Sequence, residues 1–162
     1  MRAALLTVSS SKARGEGVDE SGERLAELAA RLGLEIAGRE LITDDRAEIE
    51  SRLRHWADEE EVALILTSGG TGFSPDDVTP EATRAVIERE APGIGEAMRE
   101  ASRPHTANWM LSRALAGTRG QTLIVNFPGS PRSIAQTGAA LAPALPHALE
   151  LLAGRRPSHG TA

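Results

Sequence analysis

Short apolar runs alternate with amphipathic stretches along the chain, the pattern of a layered α/β domain. Strands are expected at Arg2–Val8, Leu34–Leu41, Val62–Thr67 and Thr122–Asn126, the second interrupted by Gly38 and Arg39. Val62–Leu66 and Leu123–Val125 are apolar without alternation, as strands covered on both faces are. Between them, Leu25, Leu28 and Leu32 share one helical face, and Gly33 can end that helix. Ile49, Leu53 and Trp56 share another, preceded by Asp45 and Glu48 at capping-box spacing. Thr79 can cap a helix in which Pro80 suits the first position, with Val86 and Ile87 as its apolar stripe up to Pro92-Gly93. Ile94, Ala97 and Met98 predict a short helix; Met110, Leu111, Ala114 and Leu115 predict a longer one. A last helical region after Pro131 carries Ile134, Leu141 and Leu145, with Pro143 and Pro146 expected to kink or split it.

The expectation is one domain over residues 1–153 and a flexible tail from Gly154 to Ala162. A chain of 162 residues can bury a real core. The apolar run Ala3–Leu6 is too short for a signal peptide, and no stretch approaches the roughly 20 apolar residues of a membrane span. With no cysteine, disulfides, thiolate zinc sites and cysteine nucleophiles are excluded, and a cytoplasmic location is expected. A net charge of −5 argues against nucleic-acid binding, and the four aromatics (Trp56, Phe73, Trp109, Phe127) make poor base-stacking platforms. Lys12, the only lysine, lacks the context of a phosphate-binding P-loop.

Polar residues recur where the expected strands end. Ser9, Ser10 and Ser11 follow the first; Thr43, Asp44 and Asp45 the second; Gly69-Gly70-Thr71-Gly72 the third; Asn126 to Ser130 the fourth. In a parallel sheet these ends share one edge, where ligands bind. The glycine turn, with Asp76 and Asp77 behind it and a helix start at Thr79-Pro80, suits a phosphorylated ligand. Glycines bring N–H groups close to oxyanions, and an acid can hold Mg²⁺ or a proton. A tight connection, with Asp77 serving only the helix dipole, is the structural alternative. Asp45 has a ready cap role, which leaves Asp44 the better functional candidate, although adjacent acids can exchange roles and either could reach the ligand. Asn126-Phe127-Pro128-Gly129-Ser130-Pro131 reads as a second anion-binding turn or as a rigid connection. Ser21, in the loop closing with Asp19-Glu20-Ser21-Gly22, reads equally as a helix cap or a ligand contact. His55, His105, His147 and His159 show no metal-ligand spacing and read as surface or packing residues. Trp56 reads as core and Trp109 as a boundary or subunit contact. Asp58 to Glu61 read as a solvated helix end.

Five segments together carry a family resemblance. They are Thr67-Ser68-Gly69-Gly70-Thr71-Gly72; Asp77-Val78-Thr79-Pro80-Glu81-Ala82-Thr83; Pro92-Gly93-Ile94-Gly95-Glu96-Ala97-Met98-Arg99; Leu111-Ser112-Arg113; and Asn126-Phe127-Pro128-Gly129-Ser130-Pro131. Over about residues 2 to 153 the chain resembles the molybdopterin-binding proteins of molybdenum cofactor biosynthesis. These are the bacterial molybdopterin adenylyltransferases, their paralogues, and the G domains of fusion proteins such as gephyrin. The resemblance implies a three-layer α/β/α fold with a mostly parallel sheet, assembled as a homo-trimer or hexamer. It implies an adenylyl transfer from Mg-ATP to the terminal phosphate of molybdopterin, with ATP and molybdopterin as substrates, Mg²⁺ as cofactor and a molybdate-insertion protein as a recipient. The family's acids fall on Asp44 and Asp77, both expected near Mg²⁺. Its ligand segments fall on Ser9, Asp19, Ser21, Gly22, Gly69, Gly70, Thr71, Gly72, Glu96, Pro128, Gly129 and Ser130. Two positions depart: Asp76 stands where relatives often have arginine, and Ser10 where many have aspartate. The rival expectation is a paralogue that holds molybdopterin, or serves as an oligomeric scaffold, without adenylyl transfer.

Overall fold

A computed structural model describes residues 1–155. Among them are six strands: β1 (Arg2–Val8), β2 (Glu35–Ile42), β3 (Leu64–Ser68), β4 (Arg89–Glu90), β5 (Ala116–Arg119) and β6 (Thr122–Phe127). They form one sheet in the order β2-β1-β3-β6-β5-β4. β2, β1, β3 and β6 are mutually parallel, whereas β5 runs antiparallel to both β6 and β4. Helices α1 (Ser10–Ala13), α2 (Glu20–Arg31), α3 (Arg46–Arg54), α4 (Thr79–Arg84), α5 (Pro92–Ser102), α6 (Pro131–Leu141) and α7 (Leu145–Leu152) complete the order, with a π turn at His55–Glu59 and a 3₁₀ turn at Trp109–Leu111.

The side-chain alternation of the strands builds two cores, one on each face of the sheet. Ala3, Leu5, Leu64, Leu66, Leu123, Val125 and Phe127 pack with Leu25 and Leu28 of α2, Met98 of α5 and Ile134 of α6. Ala4, Leu6, Val8, Ile65 and Ile124 pack on the other face with Ile49, Leu53, Trp56 and Ala82. The result is the expected three-layer α/β/α architecture. No helix among the described residues is long and apolar enough to cross a membrane.

Pairing of β1 with β2 contains one irregularity. Ala3 pairs with Ile36 and Ala4 with Gly38, which leaves Ala37 without a partner in β1. Gly38 lies beneath the indole of Trp56, where an added Cβ would come within 2.4 Å of the ring. Trp56 Nε1 donates to Glu40 of the same strand at 2.9 Å.

Several sequence expectations are corrected. The helix read over Met110–Leu115 is only the 3₁₀ turn, with Met110 and Leu111 exposed and Ala114 and Leu115 buried in the extended lead to β5. Arg99 of α5 accounts for this. Its Nη1 donates to the carbonyls of Ser112 and Ala114 at 3.3 and 3.1 Å, holding this backbone open. The short strands β4 and β5 were not expected from the pattern. α4 stops at Arg84, so Val86 and Ile87 pack from the turn beyond it. Thr79 is the first residue of α4 rather than its cap; Val78 holds the cap position without a side-chain hydrogen bond. Asp58 and Glu60 are not merely solvated, because Asp58 pairs with Arg119 at 2.8 Å and Glu60 with Arg2 at 3.3 Å. The final helical region splits at Pro143 as its prolines require. At φ +73 Gly154 closes α7, its N–H reaching Leu151 O and that of Arg155 reaching Glu150 O. The rest of the expected tail, including His159, lies outside the described residues.

Candidate functional site

The parallel strands β1, β2, β3 and β6 deliver their carboxyl ends to one edge, and the polar residues there are tied to one another. Two stations result. The first, at β1 and β2, is a reciprocal pair. Ser10 N–H donates to Asp44 Oδ2 at 2.7 Å, and Asp44 N–H donates to Ser10 Oγ at 2.9 Å. The second lies at β3 and β6, where a cavity of about 390 Å³ opens, at the small end of the range for small-molecule sites. Gly70, Thr71, Gly72 and Asp77 form one wall; Pro128, Gly129, Ser130 and Ser133 form another. Ser102 and the segment after α5, including Thr106, Asn108, Trp109, Leu111 and Ser112, form the third.

Close contacts require glycine at two positions of this loop. Gly69 has φ +93, and a Cβ there would sit 2.2 Å from the carbonyl oxygen of Val8. Gly70 has φ +64, and its Cβ would sit 2.2 Å from Thr79 Oγ1. Gly69 therefore lies behind the cavity wall, joining β1 to the loop; its N–H donates to Phe127 O at 3.2 Å. Asp77 is half-buried, and its Oδ2 accepts from Ser74 N–H at 2.8 Å. That arrangement leaves the second carboxylate oxygen for another partner. Asp76, beside it, is exposed.

The other expected ligand residues hold the frame. Asp19 caps α2, its Oδ1 accepting from Gly22 N–H at 2.9 Å and its Oδ2 from Thr7 Oγ1 at 2.8 Å. Gly22 fits because any side chain would collide with the Asp19 carboxylate, 2.2 Å from its Cβ position. Ser21 is thus not the cap; its hydroxyl donates to Gly129 O at 2.7 Å and fixes the second turn from behind. Ser9 caps the four-residue α1. Glu96 is exposed on α5 and does not line the cavity. Asp44 and Asp77 follow β2 and β3, with β1 between them, so two strand spacings of about 4.8 Å separate their parent strands. Among the described residues no group of three or more His, Asp or Glu side chains gathers to hold a metal. A cation bound largely by substrate phosphates, with one or two carboxylates, is the kind this arrangement suits.

Three features escaped the sequence reading of the site. Arg113 donates from Nε to Gly72 O at 2.6 Å, from Nη2 to Asp77 O at 2.5 Å, and from Nη1 to Glu81 Oε1. Its own N–H donates to Thr71 O at 2.9 Å. Burial raises the Glu81 pKa, but the Arg113 hydrogen bond and charge outweigh it and hold the carboxyl below the ordinary glutamate range. Second, Asn126 is fully buried and ties β6 to β3 and α4, Nδ2 donating to Thr67 Oγ1 at 3.0 Å and Thr83 Oγ1 at 2.9 Å. Third, Trp109 lines the cavity with the Arg103 guanidinium 5.6 Å from its ring centroid, and exposed Leu111 adds apolar surface to the same wall. Arg113 stood in the sequence as part of a matching segment, but nothing local signalled which carbonyls it would reach.

Comparison with known proteins places the chain among relatives. A family model described as "probable molybdopterin binding domain" matches residues 4–147. The chain is 37% identical over 152 residues to a molybdopterin adenylyltransferase of Helicobacter pylori, covering 93% of this chain and 86% of that protein. It is 38% identical over 150 residues to the molybdenum cofactor synthesis protein cinnamon of Drosophila melanogaster, covering 91% of this chain but only 25% of the fly protein's length. The crystal structure of the molybdopterin biosynthesis enzyme MoaB of Thermus thermophilus superposes with a TM-score of 0.89 at 46% identity, covering 95% of this chain and 97% of that one.

Proposed function

The chain belongs to the molybdopterin-binding domain family of molybdenum cofactor biosynthesis, and on that premise we propose that it adenylylates molybdopterin. In this reaction an oxygen of molybdopterin's terminal phosphate attacks the α-phosphorus of ATP. The bond from the α-phosphorus to the bridging oxygen breaks, and pyrophosphate leaves with the electron pair. No covalent enzyme intermediate is needed.

The observation that carries the reading is the second station: a cavity walled by two glycine-containing turns with a half-buried aspartate at its rim. Two polyanions must approach each other, so catalysis rests on positioning and on screening charge. Backbone N–H groups of the two turns and the hydroxyls of Thr71, Ser112, Ser130 and Ser133 supply donors, since no lysine or arginine is among the residues lining the cavity. Magnesium, brought with the nucleotide, neutralises phosphate charge when bound, and Asp77 and Asp44 are the carboxylates that would hold it. A cavity of about 390 Å³ suits one heterocycle-phosphate ligand better than two. In our reading the second substrate extends along the open edge toward Asp44 and Ser10. Trimeric or hexameric assembly and delivery to a molybdate-insertion protein belong to the same proposal.

The second reading is a molybdopterin-holding paralogue without transfer. Asp76 favours it by adding an exposed negative charge beside the phosphate site. Pyrophosphate release from Mg-ATP in the presence of molybdopterin separates the two. Wild type should release it, and Asp77→Asn should be at least about 100-fold slower, the scale on which removing one preorganised electrostatic group acts. Molybdopterin binding without any release would leave the second reading standing. Equal rates in wild type and mutant would remove Asp77 from the mechanism.

A further inference from the structure

We propose that Arg113 is a positioning residue for the cavity: it aims the backbone of the glycine loop at the ligand without touching the ligand itself. Each of its nitrogens donates to protein. Nε serves Gly72 O, Nη2 serves Asp77 O, Nη1 serves Glu81, and the backbone N–H serves Thr71 O. The side-chain contacts join positions 32 to 41 residues apart in sequence. The Glu81 carboxylate balances its charge, and the exposed Phe73 ring lies across the guanidinium, centroid 6.0 Å from Cζ.

The consequence follows from peptide geometry. In a trans peptide the N–H points opposite to the carbonyl of the preceding residue. Holding Thr71 O and Gly72 O toward Arg113 therefore turns the N–H groups of Gly72 and Phe73 away from it. Gly70 O is likewise held inward by Thr79 N–H at 3.1 Å, which turns the N–H of Thr71 outward. None of these three N–H groups has a protein acceptor among the described residues. Arg113 thus converts a formal cation behind the wall into a row of partial charges on the cavity side. Arg99 extends the same device, gripping Ser112 O and Ala114 O on either side of Arg113 and so anchoring the opposite wall.

This inference rests on the molybdopterin reading for its ligand, but not for its local effect, so the test has two arms. The full-length chain is compared with Arg113→Lys, which keeps the charge and loses the planar fork, and with Glu81→Gln. Arg119→Gln, which breaks the distant pair with Asp58, serves as a control. In the first arm, amide hydrogen exchange without ligand should be at least about tenfold faster at residues 71–73 in Arg113→Lys, with the strands unchanged, as local opening predicts. In the second, molybdopterin affinity should fall about tenfold or more in Arg113→Lys, and in Arg113→Gln, which removes the charge, its dependence on salt between about 0.05 and 0.5 M should be unaltered, because a residue that makes no ligand contact contributes no screened charge pair. Glu81→Gln should give a smaller loss of the same kind. Combined with Arg113→Lys it should add less than about threefold, since both act through one contact. Wild-type exchange and affinity in Arg113→Lys would overturn the proposal. So would a flattened salt dependence, which would place Arg113 on the ligand. Should Arg113→Lys fail to fold, wild-type loop exchange in Glu81→Gln would overturn it equally. Failure of the wild-type chain to bind molybdopterin would overturn the ligand reading, while the exchange arm still decides the role of Arg113.

Discussion

Gly69→Ala adds one methyl group at the point where β1, the glycine loop and the 128–130 turn meet. The new carbon would lie 2.2 Å from Val8 O and 3.3 Å from Val8 C. Both are backbone atoms of a strand paired on both sides, so neither can rotate away as a flexible side chain would. The φ of +93° adds a second cost, because an L side chain there is strained by about 1–3 kcal/mol. Forced displacement in a packed region adds about 1–3 kcal/mol. Together these predict a loss of about 2–6 kcal/mol, a large part of the roughly 5–15 kcal/mol that holds a domain of this size. Urea unfolding measures it: with a slope near 2 kcal/mol per molar, the midpoint should fall by about 1–3 M. Gly93→Ala is the matched control. Gly93 lies in the first turn of α5 with nothing within 4 Å of its Cβ position, so alanine should be neutral or stabilising by up to about 1 kcal/mol. If Gly69→Ala unfolds within about 1 kcal/mol of the control, below the smaller of the two costs summed, the approach of Val8 to the loop is not the constraint claimed.

Two further outcomes are expected. Asn126→Ala removes two hydrogen bonds inside the core and should cost about 1–3 kcal/mol from those alone, read as a lower midpoint with an unchanged slope; an unchanged midpoint would show that Thr67 and Thr83 find other donors. Glu81 has its folded-state pKa depressed, so its contribution is fully present above the ordinary value of 4.5 and is lost as pH falls through the lower folded value. The stability advantage of wild type over Glu81→Gln should therefore be constant near neutrality and shrink below about pH 4.5; an advantage that grows toward acid would contradict the assignment.

The fold was largely legible because three of the four parallel strands, β1, β3 and β6, are apolar runs with little ambiguity of period. Val62–Leu66 and Leu123–Val125 have no polar interruption, and both are buried on each face. What failed was set by tertiary contacts. Met110, Leu111, Ala114 and Leu115 fall at helical spacing, yet Arg99 captures the carbonyls that a helix would use. β4 and β5 are too short and too polar, with Gly117 and Arg119, to announce themselves. In the site, the glycine turn and Asp77 were readable from local chemistry. Asp19 and Ser21 were carried into the ligand set by the family resemblance, and a polar residue at a helix start has the same signature whether it faces substrate or neighbouring backbone. Asp19 binds Thr7 and Gly22, and Ser21 binds Gly129. Arg113 was illegible for the opposite reason: its partners are all carbonyls or an acid remote in sequence, and a lone arginine after a turn carries no address.

The supernumerary Ala37 gives the far end of β2 its phase. Every pair after it, Ala4 with Gly38 through Val8 with Ile42, is counted from that one skipped residue. Asp44 lies beyond the end of β2, with about 17 Å of strand between Ala37 and Ile42, yet its meeting with Ser10 depends on that count. The Trp56 indole pressed onto Gly38 pins the skip in place, as no side chain fits beneath the ring. One station of the site is thus indexed from the opposite end of the domain, and a change in chain length near Ala37 would act on it as directly as a change at Asp44.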